Sequence, residues 1–218
     1  MMHKSRRANT RRPGVQMTYD QIDVMLRLQA AYPADFSEIA GIDSAAAAAA
    51  FERGQLISPL GVEGLHQIGN KAANLRHYHA QGARYVTLTH NCGNAFADAA
   101  IREDPFGVAP PFWGGVSPRG RGLIREMNRL GLAVDLSHVS EDTMRDVLGA
   151  GDDGWEGSAA PVMFSHSSAY ALCPHPRNVP DDVLQLVKET NSIVMGKFLL
   201  IVFPSFSTTP AEISDEPN

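Results

Sequence analysis

Cysteine is scarce in this chain. Only Cys92 and Cys173 occur in 218 residues, so one bridge at most can form and a disulfide scaffold is excluded. Two cysteines say little about compartment. Long apolar runs are also missing: no window holds ~18 consecutive apolar residues, so no transmembrane helix is expected. The basic N-terminal residues Lys4, Arg6, Arg7, Arg11 and Arg12 are not followed by an apolar stretch, so they do not make a secretory signal. Residues 1–17 read as a basic disordered tail, with a misplaced gene start or a targeting segment as alternatives. Localisation stays open. An excess of positive charge is absent too. The formal net charge is −5, which argues against a nucleic-acid partner. What is present is 44% hydrophobic content with nine Phe and two Trp, enough for one sizeable core.

Four short segments organise the rest: 57–63, 85–90, 132–138 and 161–166. Each is a short apolar run, and they end at Glu63, His90, His138 and His166. Each is followed by a turn and a helical pattern. Parallel strands buried on both faces look like this. Residues at the C-terminal ends of successive parallel strands meet at one mouth of an α/β barrel. The four side chains are therefore expected to be neighbours in space, although far apart in sequence.

Helical patterns fill the intervals. Thr18 with Gln21 makes a capping-box pattern for a helix over 18–31, with Ile22, Met25, Leu26 and Leu28 as its apolar stripe and Pro33 as its stop. Asp43 or Ser44 can cap a second helix through Ala45 to Ala50, read as tightly packed, with Gly54 just past its end. Further helices are expected over 71–81, from Ser117-Pro118 to Gly131, from Ser140-Glu141-Asp142, and from Pro180 to Thr190. The stretch 91–116 reads as a long loop covering a site. A fifth strand is expected over 192–198. This order of strand and helix means parallel βα units.

Two imidazoles and a carboxylate, here His138, His166 and Glu63, form a standard ligand set for catalytic zinc, with a fourth position left for water. Zinc would bring the pKa of that water to ~7. The alternative is plain. A strand-end histidine is commonly just a hydrogen-bonded polar residue, and a glutamate is usually solvated.

Five motifs carry a resemblance. Gly61-Val62-Glu63-Gly64, Leu88-Thr89-His90, Asp135-Leu136-Ser137-His138-Val139-Ser140, Phe164-Ser165-His166-Ser167-Ser168-Ala169 and Arg177-Asn178-Val179-Pro180-Asp181-Asp182 are similar to the membrane dipeptidase (renal dipeptidase) family of zinc metallopeptidases. The similarity runs from about Tyr19 to Phe198. It implies a (β/α)8 TIM-barrel-type fold, and two zinc ions that hydrolyse dipeptides through a metal-activated hydroxide. Glu63 matches the carboxylate that bridges the zincs, and His138 and His166 match the other ligands of one of them. His90 matches the histidine that contacts the substrate or its tetrahedral intermediate. Arg177 matches the arginine that binds the substrate carboxylate; read alone, it would pair with Asp181 or Asp182 at the surface.

The departures are specific. The family's His-x-Asp strand supplies further zinc ligands, yet none of the eight histidines here has Asp two positions later. The late strand with an aspartate in a Gly/Asp-rich motif is not visible. About five βα units are legible, where a closed barrel needs eight. The expectation is an incomplete barrel over 18–200, an irregular tail over 201–218, and the ligands of at most one zinc complete. Leu65 stands where a glycine often follows, and 91–96 differs from the mammalian pattern. Cysteines matching Cys92 and Cys173 pair in secreted relatives with partners this chain lacks, so both thiols are expected free. Three readings remain: a zinc dipeptidase acting on a dipeptide substrate, a catalytically impaired remnant of that family, and another metal-dependent barrel amidohydrolase or lactonase. An open set of strands would leave two edges that a second copy could cover, making a homo-oligomer a candidate state.

Overall fold

The computed structural model describes residues 14–37, 43–151 and 154–196. In chain order the elements are α1 (Gly14–Ala31), α2 (Ser44–Glu52), β1 (Leu60–Glu63), a 3-10 turn (Leu65–Ile68), α3 (Ala72–Ala80), β2 (Ala83–Thr87), β3 (Ile101–Glu103), β4 (Phe106–Val108), α4 (Pro118–Leu130), β5 (Ala133–Asp135), α5 (Glu141–Val147), β6 (Met163–Ser167), α6 (Asp181–Glu189) and β7 (Ile193–Gly196). Five strands form one parallel sheet in the order β1-β2-β5-β6-β7. Strands adjacent in this sheet are joined by helical crossovers, the pattern of a (β/α)8 barrel wall of which five strands are seen.

One rung of the sheet sets the geometry. Glu63 pairs with Thr87, Thr87 with Asp135, Asp135 with Met163 and Met163 with Ile193. Next to this rung along their strands, Val62, Val86 and Val134 before it and Phe164 after it are buried. The helices close over them with Leu75 and Tyr78 of α3, Ile124 and Met127 of α4, Met144 of α5 and Val183 of α6, all fully buried. The inner strands β2, β5 and β6 have no exposed position, as expected where both faces are covered, whereas the outer strands β1 and β7 keep exposed residues.

Helix boundaries follow local chemistry. Ser117 caps α4 by accepting from the Gly120 amide at 3.0 Å, with Pro118 in the first turn and Gly131 ending it at φ 71°. Ser140 caps α5 through the Thr143 amide at 3.2 Å. Asp43, of the two candidates, caps α2 through the Ala46 amide at 2.8 Å.

Several expectations need correction. The first helix is already formed at Gly14, where the described residues begin, and so does not start at Thr18. Thr18 lies within it, 2.8 Å from the Gly14 carbonyl, and its hydroxyl donates to Gln67 Oε1 at 2.7 Å, so tertiary contact has replaced the capping box. The helical stripe is weaker than expected, since Leu28 is exposed while Thr18, Ile22 and Gln29 are buried. The alanine helix is not tightly packed: Ala50 is its one buried residue. Alanine drives it through propensity, not burial. The stretch 91–116 is not all loop. It holds the antiparallel hairpin β3–β4, whose strands are three residues each. The fifth strand runs from Ile193, not residue 192, to Gly196; residues 197–198 and the tail 201–218 lie outside the described residues, as do residues 1–13.

Candidate metal centre

The rung through Glu63, Thr87, Asp135 and Met163 explains why the chemistry converges. Glu63 stands on it. His90, His138 and His166 each lie three residues beyond it, counted from Thr87, Asp135 and Met163. Parallel strands in register, each continued by the same number of residues, deliver their side chains to one mouth. His138 reaches it with φ 69°, a left-handed conformation uncommon for a non-glycine residue. Its carbonyl is held by the Ala100 amide at 2.8 Å and by the Thr89 hydroxyl at 3.2 Å, which keeps the backbone in this turn.

The expected four residues are brought together. Glu63 Oε1 is 3.1 Å from His138 Nε2, 3.4 Å from His166 Nε2 and 3.9 Å from His90 Nε2. The two nitrogens of His138 and His166 are 2.9 Å apart. Glu63, His90 and His138 also place one ligand atom each within 4.8 Å of one another. The rings of His90 and His138 stand 4.4 Å apart, centroid to centroid. His138 is buried, His166 and His90 are partly buried, and Glu63 is half-exposed. The mouth thus has a buried imidazole at its floor and a carboxylate at its rim.

Electrostatics agree with this. Burial pushes the His138 pKa down to about 4, against the opposing effect of Glu63. The facing His138 holds the Glu63 carboxyl down to about 2, with burial opposing. Near neutrality Glu63 is ionised and the buried His138 is neutral. His138 Nδ1 faces Asn91 Oδ1 at 2.9 Å, so the neutral ring carries its proton there. A carboxylate oxygen and two imidazole nitrogens packed this closely suit a shared cation. The residues present fit a metal ion.

Arg177 comes from the segment between β6 and α6. It is partly buried, and burial lowers its pKa while Glu63 and Asp135 oppose this, so it lies within electrostatic reach of the mouth. Its Nε is buried without a hydrogen-bond partner. The surface pairing with Asp182 does not occur, since Asp182 is taken by Arg145 at 2.8 Å. Four residues escaped sequence reasoning. His66 lines, with Glu63, His90 and Gln67, a cavity of about 300 Å³ beside the centre. Asn91 touches His138, while Asp135 and Ser165 lie behind His166. For Asp135 and Ser165 the only signal was a polar side chain inside an otherwise apolar strand motif; His66 and Asn91 lie beyond the ends of β1 and β2. Both cysteines are free and exposed, as expected.

Known proteins bear on these observations. The Aspergillus oryzae protein named dipeptidase aclJ is 44% identical over 192 residues, which cover 86% of this chain and 42% of that one. An amidohydrolase structure from Pseudomonas aeruginosa superposes with a TM-score of 0.70 at 25% identity, over 84% of this chain and 51% of that one. A Rhodobacter sphaeroides metallopeptidase, solved with a phosphinate mimic of the dipeptide L-Ala-D-Ala, gives 0.56 at 27% identity, over 69% of this chain and 41% of that one. The chain spans about two-fifths of the length of the curated relatives it matches. The family model for membrane dipeptidase (peptidase family M19) matches residues 3–215, and with the parallel sheet and its Glu/His mouth already in place, the chain belongs to that family.

Proposed function

We propose that this chain carries part of a zinc-dependent dipeptidase site, in which Glu63, His138 and His166 hold a zinc ion and His90 and Arg177 hold the substrate. The observation that supports it is the meeting of Glu63 Oε1, His138 Nε2 and His166 Nε2 at 2.9 to 3.4 Å. When bound, zinc supplies Lewis acidity and lowers the pKa of a coordinated water. The protein side of the chemistry is positioning. Glu63 sets a negative charge against the cation. His90 Nε2, 3.9 Å from Glu63 Oε1, is the imidazole placed to donate a hydrogen bond to the oxyanion that develops on the scissile carbonyl. Arg177 offers a planar fork for a free C-terminal carboxylate, with a buried Nε lacking a protein partner. Recognition of that carboxylate would select dipeptides over longer chains.

A second reading is a metal-binding chain with impaired catalysis. It is favoured by one fact: no histidine in these 218 residues is followed by aspartate two positions on, the pair that would serve a second zinc. The decisive experiment is metal analysis of the purified chain with a hydrolysis assay on dipeptides, free and C-terminally amidated. Bound zinc with turnover of the free dipeptides alone is the expected result. One zinc without turnover favours the impaired reading. Neither zinc nor turnover overturns the proposal.

A further inference from the structure

His138 and His166 are not held by packing alone. His166 Nδ1 lies 2.7 Å from Ser165 Oγ. That hydroxyl lies 2.6 Å from Asp135 Oδ2 and 3.3 Å from Ser137 Oγ, so its single proton points to the carboxylate. Asp135 is fully buried. It accepts from the Ser137 and Ser165 amides on Oδ1, at 3.0 and 2.9 Å, and from the Thr87 and Ser165 hydroxyls on Oδ2, at 2.6 Å each. Four donors occupy its two oxygens, leaving no place for a carboxyl proton. Ser165 Oγ, having given its proton to Asp135, can only accept from His166. His166 must then carry its proton on Nδ1.

His138 has a parallel arrangement on the other side of the mouth. Asn91 Nδ2 donates to Glu103 Oε1 at 2.9 Å. Glu103 accepts and cannot donate, which settles which way the Asn91 amide faces. Asn91 Oδ1 is thereby turned to His138 Nδ1 at 2.9 Å and can only accept. Each histidine has a two-link chain behind it, ending in a carboxylate. One chain lies inside the sheet, and the other comes from the β3–β4 hairpin.

We propose that Ser165 and Asn91 are positioning residues that fix His166 and His138 as Nδ1–H tautomers through the relays Asp135–Ser165–His166 and Glu103–Asn91–His138, so that both Nε2 atoms present a lone pair to one cation. Imidazole needs such fixing because either nitrogen can carry the proton. Partners of this kind behind metal ligands are worth ~10–100-fold in affinity. The zinc affinity in this inference rests on the metal-centre reading above; the tautomers do not.

The test uses the full chain, first without metal. Two-bond nitrogen–proton spectra of its imidazoles report each tautomer. Zinc affinity then follows by competition with a chromophoric chelator. Ser165→Ala is expected to move His166 away from the Nδ1–H form and to weaken zinc ~10–100-fold. Ser165→Thr, which keeps a hydroxyl, restores both. Asn91→Leu does the same to His138 and serves as an independent arm should Ser165→Ala fold poorly. Thr87→Val removes an equally short bond to the same Asp135 oxygen without touching a histidine. It is expected to lower thermal stability yet leave tautomer and affinity within about twofold, a margin well below the loss expected of a ligand partner. The proposal is overturned if His166 and His138 are Nε2–H in the unaltered chain, if Ser165→Ala leaves the tautomer in place, or if Thr87→Val weakens zinc as much as Ser165→Ala. Should the unaltered chain bind no zinc, the metal reading fails, and the tautomer spectra decide this inference by themselves.

Discussion

His138 gathers three local costs: a left-handed φ of 69°, burial, and a neighbouring carboxylate. A fold keeps such a residue only when its surroundings over-determine it, and functional sites are where this happens. Cys92 shows how the same surroundings act on a neighbour. Although Cys92 is exposed, desolvation by the protein around it pushes its thiol pKa up, and the negative Glu103 adds to this. Because the charged thiolate is the disfavoured form, its fraction at a given pH lies below that of an ordinary thiol. Alkylation of Cys92 by iodoacetamide, followed by mass spectrometry across a pH series, should therefore reach half its limiting rate above the ordinary cysteine pKa of about 8.5. A half-maximal rate at or below that pH would contradict the shift.

Two helix caps illustrate how burial decides the worth of a local signal. Ser117 is 1% exposed, and besides accepting from the Gly120 amide its hydroxyl donates to the Ala95 carbonyl at 2.8 Å. Asp43 caps α2, of which Ala50 alone is buried. Both are good capping residues in sequence. Ser117→Ala should lower unfolding free energy by about 2 kcal/mol, because it also removes the donor to a part-buried carbonyl. Asp43→Ala should cost under about 1 kcal/mol, since an exposed helix can fray without unfolding the sheet. Urea titrations of the two variants check the order; equal losses would show that α2 is coupled to the core. Gly120 adds a related constraint. A Cβ there would collide with the Phe96 carbonyl, so α4 packs against the long segment before it only with glycine at that position.

Across the whole molecule, the proposed ligands come from β1, from the turn after β5 and from β6, so one cation would tie together strands that otherwise meet only through the sheet. Ligand binding to the folded state stabilises it by mass action, about 2.7 kcal/mol at a hundredfold excess over Kd. Removing zinc with a chelator should lower the melting temperature by several degrees, and Glu63→Gln should abolish the difference. The sheet's outer strands are a second molecular-scale feature. Among the described residues β1 and β7 each have one strand neighbour, and Ile193 on β7 is 58% exposed. Unpaired edges template association, and a charged side chain there suppresses it. Light scattering should show concentration-dependent association that Ile193→Lys reduces; identical behaviour of the two chains would clear this edge.

What the sequence determined by itself was periodic or contiguous. Apolar runs ending in Glu63, His90, His138 and His166 marked the parallel strands and their shared mouth, because strand ends in register must meet. Serine caps and glycine stops placed α4 and α5 within a residue or two. The tertiary structure decided whatever depends on partners distant in the chain. Thr18 left its capping role for Gln67, and the alanine helix stayed mostly exposed. The β3–β4 hairpin emerged from a stretch rich in proline and glycine, with strands too short to show alternation. Arg177, read alone as a surface residue, is partly buried. Asn91, Asp135 and Ser165 became the support of two histidines. Nothing in a strand's own composition says which polar residue will face a neighbouring strand's histidine. That follows from the sheet register, which only the folded chain possesses.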